Sequence, residues 1–161
     1  AADDSEMESL WQARRELAAE CGADTLIDPT AEDPLARIDE EVPGGVDVAI
    51  EVAGIEPTVN QAIRCTRRGG NVTIISLFEE PVEILPTDIV LGERTVTGTL
   101  AYLGGPLSDR EFSMTLSNFA SGVFDPEPVI TARIGLPEIV EDGFERLLDP
   151  DSEQVKILVR P

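Results

Sequence analysis

Histidine is absent from all 161 residues of this sequence, which removes the usual general base and the commonest metal ligand from any site these residues build. Lysine is almost absent as well. Lys156 is the only one, and with eleven arginines it faces thirty-two acidic residues, for a formal net charge of −20. A surface of that sign repels nucleic acid and anionic membranes, so neither is expected as a partner. The acids are spread along the chain rather than gathered in an arm, and their mutual repulsion opposes the compact state until salt screens it. An acidic excess with almost no lysine and small side chains points to a halophilic source. Cysteine is scarce: Cys21 and Cys65 sit in helix-like stretches without a ligand framework, and read as buried small hydrophobes in a reducing cytoplasm rather than zinc ligands. No uncharged apolar run reaches the about 18 residues of a membrane-spanning helix. The Asp- and Glu-rich first residues do not resemble a signal peptide. A glycine-rich phosphate loop is also missing, because the Gly pairs at 44–45, 69–70 and 104–105 all lack the G-x-G-x-x-G spacing.

What is present suffices for one ordinary domain with a core: 42% of the residues are hydrophobic and mean hydropathy is near neutral. Residues 5–20 form a helix with Met7, Leu10, Trp11, Leu17 and Ala18 on one stripe, a Ser5/Glu8 capping box and Gly22 past its end. Residues 25–28 read as a short strand stopped by Pro29, and residues 31–41 as a weaker helix. Residues 46–52 are the next strand. Pro57 then opens a helix carrying Val59, Ala62 and Ile63, which Gly69 and Gly70 terminate. Residues 71–77 and 95–102 are further strands, with an extended piece at 82–85 and a helical turn at 86–91 between them. A helix follows Ser108, with Leu116 and Phe119 facing the core. After Gly122 the rhythm changes: residues 130–134 are extended, 136–148 a final helix and 155–159 a last strand. Strand candidates alternating with helix-sized segments predict an α/β fold with a parallel sheet. The domain division expected is 1–125 and 126–161, the second segment returning to a neighbouring domain.

In an open parallel sheet, ligands bind beyond the carboxyl ends of the strands. The candidates are therefore Val52, Ala53 and Gly54, then Ile75, Ser76 and Leu77, then Thr99, Leu100 and Ala101. Gly54 either admits a flat ring or ribose to the backbone or is a simple turn glycine. Ser76 either donates to a ligand or caps its loop. Arg64, Arg67 and Arg68 form a small basic patch on one helix that offsets acidic neighbours. Carboxylates are too abundant for any pair to be singled out as acid and base, and no catalytic or metal-binding residue is nominated.

Several runs resemble a known family. RRELAAECGAD at 14–24 with TLIDP at 25–29 is similar to the second helix and third strand of zinc-type medium-chain alcohol dehydrogenases, of the sorbitol, threonine or 2,3-butanediol dehydrogenase kind. GGVDVAIEVAG at 44–54 resembles the family's fourth strand and GGNVTII at 69–75 its fifth. EIVEDGFE at 138–145 and VKILV at 155–159 resemble the last helix and strand, which in the family belong to the catalytic domain. The resemblance runs from about residue 12 onward in family order. It implies a Rossmann-type sheet and hydride transfer between NAD or NADP and a secondary alcohol or polyol, with zinc in full-length members. It places Val52, Ala53 and Gly54 at the nicotinamide ribose. Ile75, Ser76, Leu77, Thr99, Leu100 and Ala101 would meet the nicotinamide. Lys156 stands where the family often has an arginine reaching the cofactor phosphates. Residues 82–85 resemble the edge by which subunits dimerise.

The resemblance omits the catalytic domain with its zinc ligands and the first two strands with the glycine fingerprint. The expected sheet is thus a partial Rossmann type, with apolar surface exposed where the missing strands would lie. The leading expectation is part of an alcohol dehydrogenase, inactive as this chain alone and holding neither cofactor nor zinc tightly. The alternatives are a subunit completed by a separately encoded N-terminal half, a non-enzymatic oligomerisation or ligand-binding module, and a zinc-free quinone-reductase relative.

Overall fold

The structure, a computed structural model, describes residues 4–100, 108–149 and 152–161. In chain order it contains α1 (Asp4–Glu20), α2 (Pro34–Glu41), β1 (Val46–Glu51), α3 (Glu56–Cys65), β2 (Thr66–Ile74), α4 (Pro86–Gly92), β3 (Thr95–Gly98), α5 (Ser108–Ser121), β4 (Ala132–Gly135) and β5 (Ile157–Arg160). The predicted α/β character and parallel pairing are present. Two compact units divide the chain, one of residues 27–108 and one of residues 1–26 with 109–161.

The 27–108 unit is a three-stranded parallel sheet in the order β1-β2-β3. Its register aligns Ala49, Val72 and Val96 across the strands, and Glu51, Ile74 and Gly98 one pleat further on. Alternation along a strand puts this row on one face. On that face α3 buries Val59, Ala62 and Ile63 against Val72, with Ile74, Phe78, Val82, Ile89 and Val96 packed around them. Full burial of a side chain of this size stabilises by about 1.5–3 kcal/mol, so α3 on β2 is the structural centre of the unit. Pro57 lies in the first turn of α3, where its missing N–H costs no hydrogen bond.

Four predicted elements differ. Residues 25–28 form no strand: no neighbouring strand pairs with them among the described residues, and an extended segment gains nothing from a ladder it cannot join. The helix predicted to reach Gly69 and Gly70 ends at Cys65, because Thr66 is already extended and its hydroxyl donates back to the Ala62 carbonyl at 2.7 Å. The glycines instead form an irregularity inside β2. Val46 pairs with Thr66 but Val48 pairs with Asn71, so the residues between bulge out. Gly69 takes φ +71°, and a Cβ on Gly70 would lie 2.8 Å from the Asp47 carbonyl. The strand predicted over 71–77 accordingly runs from Thr66 to Ile74, and the one predicted over 95–102 ends at Gly98, while among the described residues segment 82–85 pairs with no strand.

In the other unit, α1 matches the predicted helix. Its predicted capping box and the side chains of Met7, Leu10 and Trp11 lie outside the described residues. β4 and β5 form a parallel pair. The single helix predicted over 136–148 is broken into a 3₁₀ turn (Leu136–Glu138), a π-helical stretch (Ile139–Glu145) and one α turn (Arg146–Leu148). Pro137 has no N–H to give, and buried Gly143 lies against Ile134 of β4, which favours the widened turn at that contact. Leu116 and Phe119 of α5 are exposed rather than facing a core, although the Phe119 ring stacks on Phe124 at 5.4 Å. Cys21 is exposed in the turn after α1, not buried, because the helix whose apolar stripe would have covered it ends at Glu20.

Candidate functional site

The carboxyl ends of β1, β2 and β3 meet in one rim. The Ile75 N–H donates to the Glu51 carbonyl at 3.0 Å and the Thr99 N–H to the Ile74 carbonyl at 3.0 Å. The ladder therefore continues one residue past each strand, setting Val52, Ile75 and Thr99 in a row. Ala53, Gly54, Ser76, Leu77 and Leu100 follow in the loops beyond. Of these residues only Gly54 and Ser76 are half-buried, and the rest are exposed. Ala101 lies outside the described residues. Lys156 belongs to the other unit, where its side chain is exposed and its carbonyl accepts the Thr131 N–H at 2.9 Å.

The half-buried pair has its own local work. Gly54 has φ +73°, and a Cβ there would lie 2.6 Å from the Leu77 carbonyl oxygen. The missing side chain thus lets the loop after β2 close on the loop after β1. Ser76 donates its hydroxyl proton to Glu51 Oε2.

Glu51 organises the rim, and the sequence reading did not single it out. Only 2% of it is exposed. Its Oε1 accepts the Ala53 N–H at 2.9 Å, the Gly54 N–H at 2.8 Å and the Thr58 hydroxyl at 2.7 Å, while Oε2 accepts Ser76. Burial by itself would raise the carboxyl pKa, but these four donors outweigh it and hold the group below the ordinary carboxylate range. A signal was available in the sequence. Strand alternation puts Glu51 on the face of Ala49, and a charge on a covered face demands partners.

A groove of about 400 Å³ adjoins the rim, lined among others by Ala53, Gly54, Leu77, Glu56, Glu79 and Glu80. Its carboxylates disfavour a phosphate there. The arginines stand apart from it: Arg64 is on α3, but Arg67 and Arg68 are on β2, not on the same helix as predicted, since α3 stops at Cys65. Each pairs with an acid, Arg64 with Asp88 at 2.9 Å, Arg67 with Asp47 at 2.5 Å and Arg68 with Glu93 at 2.6 Å. This matches the expected charge-offsetting role. Burial pushes the Cys65 thiol up, in keeping with a structural cysteine. Among the described residues no three Cys, Asp or Glu side chains gather to hold a metal ion.

Known proteins resemble this chain in sequence and backbone. The sequence profile of the zinc-binding dehydrogenases matches residues 9–121. The chain is 41% identical over 154 residues to (R,R)-butanediol dehydrogenase of Bacillus subtilis, and 32% identical over 154 residues to the enzyme of that name from Neisseria gonorrhoeae. Both alignments cover 94% of this chain but 42% of the relative, so the chain spans less than half the length of these curated relatives. The crystal structure of 2R,3R-butanediol dehydrogenase from Bacillus subtilis superposes with a TM-score of 0.82 at 40% identity, over 93% of this chain and 41% of that one. A zinc-binding dehydrogenase from Sinorhizobium meliloti, bound to NADP, superposes with a TM-score of 0.72 at 34% identity, over 92% of this chain and 42% of that one. Since both sequence and backbone agree across nearly all of its residues, the chain belongs to the zinc-binding dehydrogenase family.

Proposed function

We propose that these residues form the cofactor-facing part of an NAD(P)-dependent alcohol dehydrogenase, interconverting a secondary alcohol or polyol with its ketone. The observation that carries this reading is the rim itself. Val52, Ile75 and Thr99 stand side by side at the carboxyl end of a parallel sheet, where such sheets receive nucleotides, in a chain 41% identical to a butanediol dehydrogenase. Its loops offer backbone groups and small or apolar side chains, which suits an uncharged carboxamide and ribose. The acidic groove beside it does not suit a pyrophosphate, and no glycine fingerprint is present to cradle one. The nicotinamide end thus fits these residues. Bound there, the nicotinamide ring would carry the hydride. Zinc chemistry is not routed through any described residue, since none of them form a ligand set.

A second reading is favoured by β1. It is the edge strand of its sheet, and Val48, Ile50 and Val52 on one face are each more than half exposed. Such a row calls for cover. We propose that further polypeptide supplies it, with strands pairing at the β1 edge and a packed layer over the face, from the same chain or from a separately encoded partner. Assembly through segment 82–85, supported by exposed Leu85, and adaptation to high salt, supported by the charge of −20, belong to the same reading, as does a cytoplasmic setting.

The mass of the native polypeptide, detected in source lysate with an antibody against these residues, separates the two. A band at least twice the length of this chain supports a single-chain dehydrogenase. A band at 17.4 kDa directs the search to a co-purifying partner, and with neither partner nor nucleotide binding the dehydrogenase reading fails.

A further inference from the structure

We infer that Glu51 is the positioning residue of the rim: by accepting from the loop after β1, the first turn of α3 and the loop after β2, one carboxylate sets the spacing of the groups that meet the nicotinamide half of the cofactor. The inference rests on the proposed reading of the rim as a nucleotide site. Glu51 is not aimed at a ligand. All four of its donors belong to the chain: Ala53, Gly54, Thr58 and Ser76.

The Glu56 carboxylate of α3 also accepts the Glu83 N–H beyond β2 at 2.9 Å, but it is Glu51 that accepts from all three segments. Ile55, which precedes α3, supplies no side-chain cap, and the Thr58 hydroxyl reaches both the Ile55 carbonyl and Glu51. Gly54 and Leu77 touch through backbone alone, a contact that holds only while both loops keep their places. Ser76 ties the second loop to the same carboxylate that orders the first. A buried ionised carboxylate can persist here because four donors surround it, and hydrogen bonds to a charged acceptor are the strong kind. Three predicted site residues, Ala53, Gly54 and Ser76, are thereby fixed by one residue outside the predicted set.

Loss of the charge should loosen the rim without unmaking the sheet, because Val59, Ile63 and Val72 pack independently of it. The test uses the native polypeptide containing these residues, with Glu51→Gln and Glu51→Asp. Binding of NADH is compared with binding of AMP, which carries only the adenine half, and hydrogen exchange is followed at the rim amides. Glu51→Gln should weaken NADH about tenfold while leaving AMP unchanged, and should speed exchange at Ala53 and Gly54 by about tenfold, as expected for weakened charge-assisted bonds. Glu51→Asp, charged but one methylene short, should recover part of both.

Equal weakening of AMP and NADH would overturn the inference, since a general structural defect does not distinguish the two halves. Unchanged NADH binding with unchanged exchange would also overturn it. If the unsubstituted protein binds no NADH yet exchange at Ala53 and Gly54 still accelerates in the variant, the nucleotide reading fails while the anchoring by Glu51 stands. Should Glu51→Gln not fold, Ser76→Ala removes one donor and keeps the carboxylate. It must then speed exchange at the neighbouring amides of Ile75 and Leu77, and its silence would count against the inference.

Discussion

At Glu51, burial and hydrogen bonding act in opposite directions on one carboxyl, and the hydrogen bonds prevail. The sign of the consequence follows. With its folded pKa depressed, the group contributes stability that is present above its unfolded pKa and lost as pH falls through the folded one. Thermal unfolding should therefore show a loss of stability on acidification below the ordinary carboxylate range, and Glu51→Gln should flatten that part of the profile. A parallel profile for the variant would mean that other acids govern the acid limb. Gly54 adds a second residue-scale expectation. Gly54→Ala combines a left-handed backbone with a 2.6 Å approach to the Leu77 carbonyl, so it should cost about 1–3 kcal/mol by denaturant titration. The glycine could be located from the sequence, but its reason could not. The run after β1 marks a turn, whereas the Leu77 carbonyl that forbids a Cβ comes from the next strand's loop.

At the scale of elements, periodicity found most helices and strands because each writes its own repeat into the chain. α3 was legible from Pro57 and from Val59, Ala62 and Ile63, which the structure buries. Its end was not, because two glycines look like a helix stop. The actual stop is Thr66, whose buried hydroxyl returns to Ala62 while the Arg94 side chain donates to the Thr66 carbonyl at 2.6 Å. The Arg94 contact comes from a distant part of the chain and leaves no local signature. Truncating the helix–sheet contact tests the centre of the unit: Ile63→Ala should destabilise by about 2–5 kcal/mol in equilibrium unfolding. A cost below about 0.5 kcal/mol, the scale of a surface change, would contradict its placement in the core.

On the scale of the whole molecule, charge and uncovered apolar surface dominate. Thirty-two acids against twelve bases repel one another, and raising salt from about 0.1 M to about 1 M shortens the screening length from about 10 Å to about 3 Å. The thermal midpoint should rise over that range, and a midpoint that falls or stays flat would argue against adaptation to salt. The exposed row on β1 predicts a different response. Ile50, 62% exposed, should tolerate replacement by Lys if that face is free in the native assembly, whereas Ile50→Lys should disrupt assembly if a further layer covers it. Size-exclusion chromatography of the native polypeptide in high salt distinguishes the two.

The sequence by itself determined the parallel α/β character, the strand ends that form the rim, the acidic surface and the family, because these depend on local periodicity, on composition and on runs in a fixed order. Only the tertiary structure decided that residues 25–28 stay unpaired, that Gly69 and Gly70 bulge within β2, and that Glu51 rather than any predicted residue holds the rim together. Each of those depends on which backbone groups and donors arrive from distant parts of the chain, and burial then sets how much their meeting matters.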